Sequence, residues 1–292
     1  MSERVGFIGL GVMGRPMAAR LAANGYPLVV RNRSQGAVDA LVAAGATAAG
    51  SPADVARHST VVITMLPDTP DVEQVVTGEG GLLPWLRRGS LLVDMSTITP
   101  AGSRRVAEAC AEHGVATLDA PVSGGESGAI DGTLSIMVGG AADDVDRARP
   151  AFEELGRAVV HIGDTGAGQI AKAANQAVVA ISIQAVAEAL TLARKADVDP
   201  AKVREALLGG LAQSRVLDTH GQRMIDRAFE PGFRIELHRK DLGIALQTAG
   251  ETGTPLPLTA QVAQLMNGLD AMGQGAADHS ALVLVEEKLA DL

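Results

Sequence analysis

A single lysine stands out in the small, apolar stretch GAGQIAKAANQ at residues 166–176. On a helix of 3.6 residues per turn, Asn175 and Gln176 fall on the same face as Lys172, so a cation and two amides form one polar patch. Such a lysine either extends to solvent or is held for chemistry, where its ammonium can act as a general acid. The GAGQ turn starts this helix close to the end of a sheet, where α/β folds bind ligands, and this favours a catalytic Lys172.

A second candidate segment is DAPVSGG, residues 119–125, which follows a short predicted strand. The backbone N–H groups of Ser123, Gly124 and Gly125, together with the serine hydroxyl, would form a neutral nest for a small carboxylate or an oxyanion. An ordinary turn fits the same composition, so both interpretations stay open for the segment by itself.

The third candidate segment has glycines at G-x-G-x-x-G spacing, directly after a predicted strand and at the start of a helix. Glycines at these positions allow a tight turn and bring backbone N–H groups close to a pyrophosphate, which the helix N-terminus also attracts. We therefore predict a dinucleotide-binding loop made of Gly9, Leu10, Gly11, Val12, Met13 and Gly14.

The end of the second predicted strand, VVRNRS, bears on which dinucleotide binds. An NAD-selective loop usually has an acidic residue there, whereas this chain has Asn32 between two arginines, whose guanidinium groups suit a 2′-phosphate. We expect Asn32, Arg33 and Ser34 to contact the cofactor, with NADP(H) preferred and NAD(H) possible. Two solvated surface arginines are the alternative.

The elements that position these residues change character along the chain. Up to about residue 163, seven short β-branched runs alternate with helical stretches, which predicts βαβ units and a mostly parallel sheet. Residues 167–195 predict one long helix, and the remainder reads as further helices separated by Gly and Pro. The expected fold is α/β, with a Rossmann-like domain at 1–163 and an all-α domain at 164–292, joined by the long helix.

Composition limits the partners. The net charge of -9 opposes nucleic acid and anionic membranes, and the longest apolar run, AVVAISIQAVAEAL, is too short to span a bilayer. The N-terminus has no signal-peptide pattern, and one cysteine, Cys110, fits a reducing compartment, so we expect a cytoplasmic protein. The six histidines have no metal-binding spacing, so no metal is expected. The long, Ala-rich helix suggests a homodimer or homotetramer.

Four segments, GFIGLGVMG, DAPVSGG, GAGQIAKAANQ and GFRIELHRKDL, together resemble the signature segments of the β-hydroxyacid dehydrogenases, the relatives of 3-hydroxyisobutyrate dehydrogenase. The resemblance covers essentially the whole chain. Five further segments are most similar to the branch that reduces tartronate semialdehyde: MLPDTPDVEQV, AIDGTLSIMVGG, LGGLAQSRVLD, PLPLT and ADHSAL. Gln176 also resembles that branch, because 3-hydroxyisobutyrate enzymes tend to have asparagine at this position.

The resemblance implies a function for each segment. Lys172 would be catalytic, residues 123–125 would bind a small carboxylate substrate, and Asn175, with Gln176 beside it, would position that substrate. Further residues would contact the cofactor, namely Leu66, Pro67, Thr97 and Lys240.

The implied reaction is hydride transfer from NAD(P)H to a small semialdehyde, with the proton from Lys172. Alternative activities in the family are 3-hydroxyisobutyrate or 4-hydroxybutyrate dehydrogenase, or action on an L-threonate-like acid. Imine reductases share the fold but generally replace the lysine. From another class, the chain could be a non-catalytic dinucleotide-binding interaction module.

Overall fold

The computed structural model describes residues 3–292. The chain divides into two compact units, of which the first ends at Lys172 and the second starts at Ala173. This division falls inside the long helix, later than the predicted boundary at residue 163. The domain limits 1–163 and 164–292 stay a prediction.

The first unit is built on one sheet. Its strands are β1 Val5–Ile8, β2 Leu28–Arg31, β3 Thr47–Ala48, β4 Val61–Thr64, β5 Leu91–Asp94, β6 Ala116–Asp119, β7 Val122–Ser123, β8 Leu134–Gly139 and β9 Gly156–Gly163. Strands β3-β2-β1-β4-β5-β6 are parallel and lie in that order, which is the order of dinucleotide-binding folds. Strand β8 runs antiparallel to β6 and β7 and parallel to β9. The predicted mostly parallel sheet is confirmed.

Helices cover both faces of this sheet. They are α1 Gly14–Ala23, α2 Gln35–Ala43, α3 Pro52–His58, α4 Thr69–Val76, α5 Pro100–Glu112, α6 Gly125–Asp131 and α7 Ala142–Leu155, with a 3₁₀ turn at Leu83–Trp85. Alternate residues of each central strand enter different cores: Phe7 of β1 joins one core, and its neighbour Ile8 joins the other. Central strands buried on both faces explain why they read as continuous apolar runs.

The second unit is helical. It contains most of α8 Ala167–Lys195, followed by α9 Pro200–Leu208, α10 Arg215–Asp226, α11 Ile235–Thr252, α12 Pro257–Leu269, a π-helical turn Asp270–Gln274, a 3₁₀ turn His279–Leu282 and α13 Val283–Leu289. Within residues 173–292, the only β-type pairing is one isolated bridge between Arg234 and Asp278. The long helix at 167–195 and the all-α second half are therefore confirmed.

Helix α8 also bears on membrane insertion. Its 29 residues contain an 18-residue window of mean hydropathy 1.6, long and apolar enough to cross a membrane by length and composition. The apolar run AVVAISIQAVAEAL is itself shorter than this window, and the helix passes because it extends beyond the run. However, 56% of the window is buried inside the protein. Core helices of soluble proteins pass the same test, so this feature is weak support for a membrane span.

Candidate active site

The predicted cofactor residues of the first unit follow the carboxyl ends of neighbouring parallel strands. Gly9 follows β1, Asn32 follows β2, Leu66 lies two residues after β4, and Thr97 lies three residues after β5. Because parallel strands end at the same edge, these segments lie together where α/β folds bind ligands.

The three glycines of the loop have different surroundings. Gly9 has a φ of 99°, and a Cβ there would lie 2.1 Å from the Met65 carbonyl oxygen. A Cβ on Gly14 would lie 1.9 Å from the Gly9 carbonyl oxygen, whereas one on Gly11 would meet no atom within 4 Å. Gly9 and Gly14 are thus needed for the turn itself. Gly11 leaves an open approach to the backbone, as a bound pyrophosphate requires.

The end of β2 is tied to this loop by an amide. The Leu10 N–H donates to Asn32 Oδ1 at 3.1 Å, and Asn32 Nδ2 donates to Ser34 Oγ at 2.8 Å. Arg31 donates to the backbone carbonyl of Asn32, and Arg33 is exposed. The position that is acidic in NAD-selective loops is therefore neutral here, with a solvent-accessible guanidinium beside it.

A buried carboxylate links the loops that follow β4 and β5. Asp94 Oδ1 accepts from Ser96 Oγ at 2.6 Å and from Thr64 Oγ1 at 2.8 Å. Ser96 Oγ in turn accepts from the Leu66 N–H at 2.8 Å. Burial raises the pKa of the Asp94 carboxyl to about 6, against the opposing effect of its hydroxyl donors. This network holds the segments that contain Leu66, the exposed Pro67 and the half-buried Thr97.

The first turn of α8 is anchored on the same unit. Asp119 accepts from the backbone N–H groups of Gly166 at 2.6 Å and Gln169 at 2.9 Å. Gln169 Nε2 donates to the Ser96 carbonyl at 2.8 Å, and its Oε1 accepts from the Ile98 N–H at 3.1 Å. Burial raises the pKa of Asp119, and these backbone donors oppose that shift.

Lys172 follows this anchored turn directly. It is only 7% exposed, which disfavours the alternative of a lysine that extends into solvent. Asp119 and Gln169 were missed as candidate residues, although both stand inside segments that the sequence singled out. Their spacing of 50 residues gave no signal of the bonds between them.

The predicted carboxylate nest lies at the start of α6. Ser123 ends the two-residue strand β7 and is half-buried, while Gly124 and Gly125 are exposed with φ of 144° and 66°. A Cβ on Gly125 would meet no atom within 4 Å. Helix α6 packs on α1, the helix that the dinucleotide loop begins. The segment is accessible to a small anion, although Glu126 stands in the first turn of α6.

In the second unit, three predicted residues share one polar network. Asn175 Nδ2 donates to Gln176 Oε1 at 2.8 Å, and Gln176 Nε2 donates to Asp241 Oδ2 at 2.6 Å. The Lys240 ammonium lies 3.0 Å from Asp241 Oδ1. Gln176 is only 4% exposed, and its backbone carbonyl accepts from His238 Nε2 at 3.2 Å. Asp241, also missed, follows Lys240 in the HRKDL segment.

One cluster in the second unit has the residue types of a metal site. His220, Asp278 and His279 offer ligand atoms within 4.8 Å of one another. However, Asp278 already accepts from Ser280 N and Oγ at 3.0 and 2.6 Å, and from the backbone N–H groups of Gly232 and Phe233 in the loop before α11. Arg223 Nε lies 3.4 Å from the same carboxylate. We interpret the cluster as structural and not as a metal site, because the Asp278 carboxylate already accepts several hydrogen bonds and faces the Arg223 cation.

Comparison with known proteins decides the family. Residues 4–163 match the NAD binding domain of 6-phosphogluconate dehydrogenase, and residues 166–285 match the NAD-binding region of NADP-dependent 3-hydroxyisobutyrate dehydrogenase. The chain belongs to the β-hydroxyacid dehydrogenase family. Its members include 3-hydroxyisobutyrate dehydrogenases, so the resemblance inferred from the four sequence segments is confirmed.

Three members of the β-hydroxyacid dehydrogenase family show the range of similarity. The chain is 48% identical to 2-hydroxy-3-oxopropionate reductase of Escherichia coli, over 99% of this chain and 98% of the relative. It is 40% identical to 3-hydroxyisobutyrate dehydrogenase of Pseudomonas aeruginosa, over 95% of each chain. Its fold matches the solved structure of 3-hydroxyisobutyrate dehydrogenase of Mycobacterium tuberculosis with L-serine, with a TM-score of 0.89 and 33% identity, over 97% of this chain and 98% of that chain.

As a β-hydroxyacid dehydrogenase, the protein is an oxidoreductase that uses a nicotinamide dinucleotide. The glycine loop fits that cofactor, because the space above Gly11 is open and the N-terminus of α1 attracts phosphate. The segments of Asn32, Leu66 and Thr97 border the same edge of the sheet.

Proposed function

We propose that the protein is a tartronate semialdehyde reductase, which converts 2-hydroxy-3-oxopropionate to glycerate and prefers NADPH. The observation that carries this proposal is the buried Lys172, on a helix turn fastened by Asp119 and Gln169, in a chain 48% identical to a 2-hydroxy-3-oxopropionate reductase. A buried lysine on an anchored helix turn is suited to deliver a proton to one position, as general acid catalysis requires.

Each predicted segment has one task in this reaction. A bound nicotinamide supplies the hydride for the aldehyde carbon. Lys172, as an ammonium, protonates the alkoxide that develops there, which is worth roughly 10² to 10⁴ in rate. The backbone N–H groups of residues 123–125 and the Ser123 hydroxyl bind the substrate carboxylate, and Asn175 orients the substrate.

Cofactor preference is assigned to the end of β2. Arg33 is exposed and follows the neutral Asn32, so a 2′-phosphate meets a guanidinium and no carboxylate. The ribose hydroxyls of NADH would lack the acidic partner that NAD-selective loops provide. Lys240 is also assigned to the cofactor, and its ammonium lies 3.0 Å from Asp241 Oδ1.

The protein acts as a cytoplasmic homodimer or homotetramer on a small carboxylate, without nucleic acid or membrane. In support, α8 exposes two large apolar side chains within the second unit, Val178 at 65% and Leu192 at 72%, which lie on the same side of the helix about four turns apart. Large apolar side chains exposed on one face of a helix suit a second copy of the chain. The net charge of -9 disfavours polyanions.

A second candidate is the oxidation of 3-hydroxyisobutyrate, favoured by the 40% identity to an enzyme of that name. 4-Hydroxybutyrate and L-threonate-like acids fall within the same class. A non-catalytic dinucleotide-binding module is disfavoured, because such a protein has no need for both a buried lysine and an accessible Ser-Gly-Gly segment.

The experiment is an initial-rate panel on the purified protein. NADPH and NADH oxidation are followed with tartronate semialdehyde, and NADP⁺ and NAD⁺ reduction with glycerate, 3-hydroxyisobutyrate and 4-hydroxybutyrate. We expect the highest kcat/KM for tartronate semialdehyde with NADPH and for glycerate with NADP⁺. A higher kcat/KM for 3-hydroxyisobutyrate would replace the proposed substrate, and no turnover with any acid would favour the binding module.

A further inference from the structure

The side-chain amide of Gln176 is oriented by the Asp241 carboxylate, which can accept hydrogen bonds but cannot donate one. Asp241 is 2% exposed, and its carboxylate lies 2.6 Å from the terminal atom of the Gln176 side chain. A carboxylate has no proton to donate, so the atom that faces it must be the amide nitrogen of Gln176. The Gln176 side chain therefore has one allowed orientation.

The orientation of the Gln176 amide also fixes that of the neighbouring Asn175 amide. With its nitrogen on Asp241, Gln176 turns its carbonyl oxygen Oε1 toward Asn175, and that oxygen also can only accept. Asn175 must then meet it with its own amide nitrogen, as the 2.8 Å distance between Nδ2 and Oε1 shows. The half-buried Asn175 can then offer a ligand its carbonyl oxygen Oδ1 and the second N–H of Nδ2, both in fixed orientation.

Resting on the proposed function, we infer that Gln176 is a positioning residue that makes Asn175 select substrates with a hydroxyl at the 2-position. An oriented carbonyl oxygen accepts a hydrogen bond from a 2-hydroxyl. It gains nothing from the methyl group that 3-hydroxyisobutyrate has at the same carbon. A site built to pair with a hydroxyl rejects an analogue that lacks it, because its own polar group is then left unpaired.

The length of the side chain at position 176 is essential to this selection. Gln176 bridges two partners, Asp241 at 2.6 Å and Asn175 at 2.8 Å, while its own Cα is fixed in α8. An asparagine is shorter by one methylene, about 1.5 Å of carbon–carbon bond, and cannot keep both contacts. Replacement by asparagine therefore releases the Asn175 amide to rotate.

The test compares two acids that differ at one carbon. The ratio of kcat/KM for glycerate to that for 3-hydroxyisobutyrate is measured for the wild type, Gln176→Asn and Gln176→Leu, together with the NADP⁺ dissociation constant. Gln184→Leu is the matched control, because Gln184 is a buried glutamine of the same helix that contacts Glu188 and Glu286 instead.

Both Gln176 variants are expected to lower this ratio by tenfold to a hundredfold, through the glycerate rate, with unchanged NADP⁺ binding. The control keeps the wild-type ratio. Equal losses for both acids, or an unchanged ratio in a folded Gln176→Asn protein, would overturn the inference and leave the proposed function intact. A wild type that does not oxidise glycerate would instead refute the proposed function, and the inference with it.

Discussion

Alanine substitutions at Gly11 and Gly14 of the dinucleotide loop are expected to have different effects, one on NADPH binding and the other on stability. A methyl group on Gly14 would lie 1.9 Å from the Gly9 carbonyl oxygen, so the backbone of the turn has to move. A methyl group on Gly11 meets no protein atom within 4 Å, and Gly11 does not have the positive φ that strains an alanine.

The magnitudes follow from these surroundings. Overpacking costs roughly 1–3 kcal/mol, so Gly14→Ala should lose at least that much free energy of unfolding. Gly11→Ala should leave this free energy unchanged or raise it by about 0.4–1 kcal/mol, since alanine restricts the unfolded chain. Its methyl group nevertheless occupies the approach to the loop N–H groups. Losing one hydrogen bond to a charged phosphate, roughly 1.5–3 kcal/mol, weakens NADPH binding about tenfold to a hundredfold.

Urea unfolding of the apo protein and fluorescence titration with NADPH measure the two quantities separately. The expected pattern is a stable Gly11→Ala protein that binds NADPH poorly and a destabilised Gly14→Ala protein. If Gly11→Ala bound NADPH as tightly as the wild type, the loop would not be the phosphate site. If it lost as much stability as Gly14→Ala, the assignment of separate tasks to the glycines would be wrong.

Three further outcomes are expected. In initial-rate assays, Arg33→Ala should lower kcat/KM for NADPH by roughly tenfold to a hundredfold, because the contact with the 2′-phosphate is lost. The kcat/KM for NADH should stay unchanged. Equal effects on both cofactors would contradict the 2′-phosphate assignment. Because burial raises the pKa of Asp94 from 3.8 to about 6, its ionisation costs stability as the pH rises through that range. Asp94→Asn should therefore gain up to about 3 kcal/mol relative to wild type between pH 4 and pH 7 in urea unfolding, and a pH-independent difference would count against this. Leu192→Asp, on the exposed face of α8, should reduce the oligomer to smaller species in sedimentation, and an unchanged mass would remove that face from the interface.

The features that were predicted correctly from the sequence are those that a short, continuous segment specifies. The glycine spacing at 9–14 marks a turn between a strand and a helix, and the uninterrupted pattern of residues 167–195 marks α8, whose bounds were predicted as observed. The strands β3 and β7 were missed because two residues are too short to show a period.

The hydrogen bonds that hold the candidate site could not be predicted from local sequence patterns, because they join residues far apart in the chain. Gln169 bonds to Ser96 across 73 positions, and Gln176 bonds to Asp241 across 65. Neither pair has a characteristic spacing, because the fold alone brings its members together. Sequence therefore singled out Lys172 and Gln176 but could not show that the first is anchored through its helix turn, or that the second is buried against a carboxylate.

The most direct test of the proposed mechanism is the turnover of tartronate semialdehyde by Lys172→Ala, compared with wild type at saturating NADPH. We expect kcat to fall by about 10² to 10⁴ while the NADPH dissociation constant stays within about threefold, because only the proton donor is removed. A variant that turned over at nearly the wild-type rate would contradict it and would leave Lys172 as a buried helix residue with no part in the chemistry.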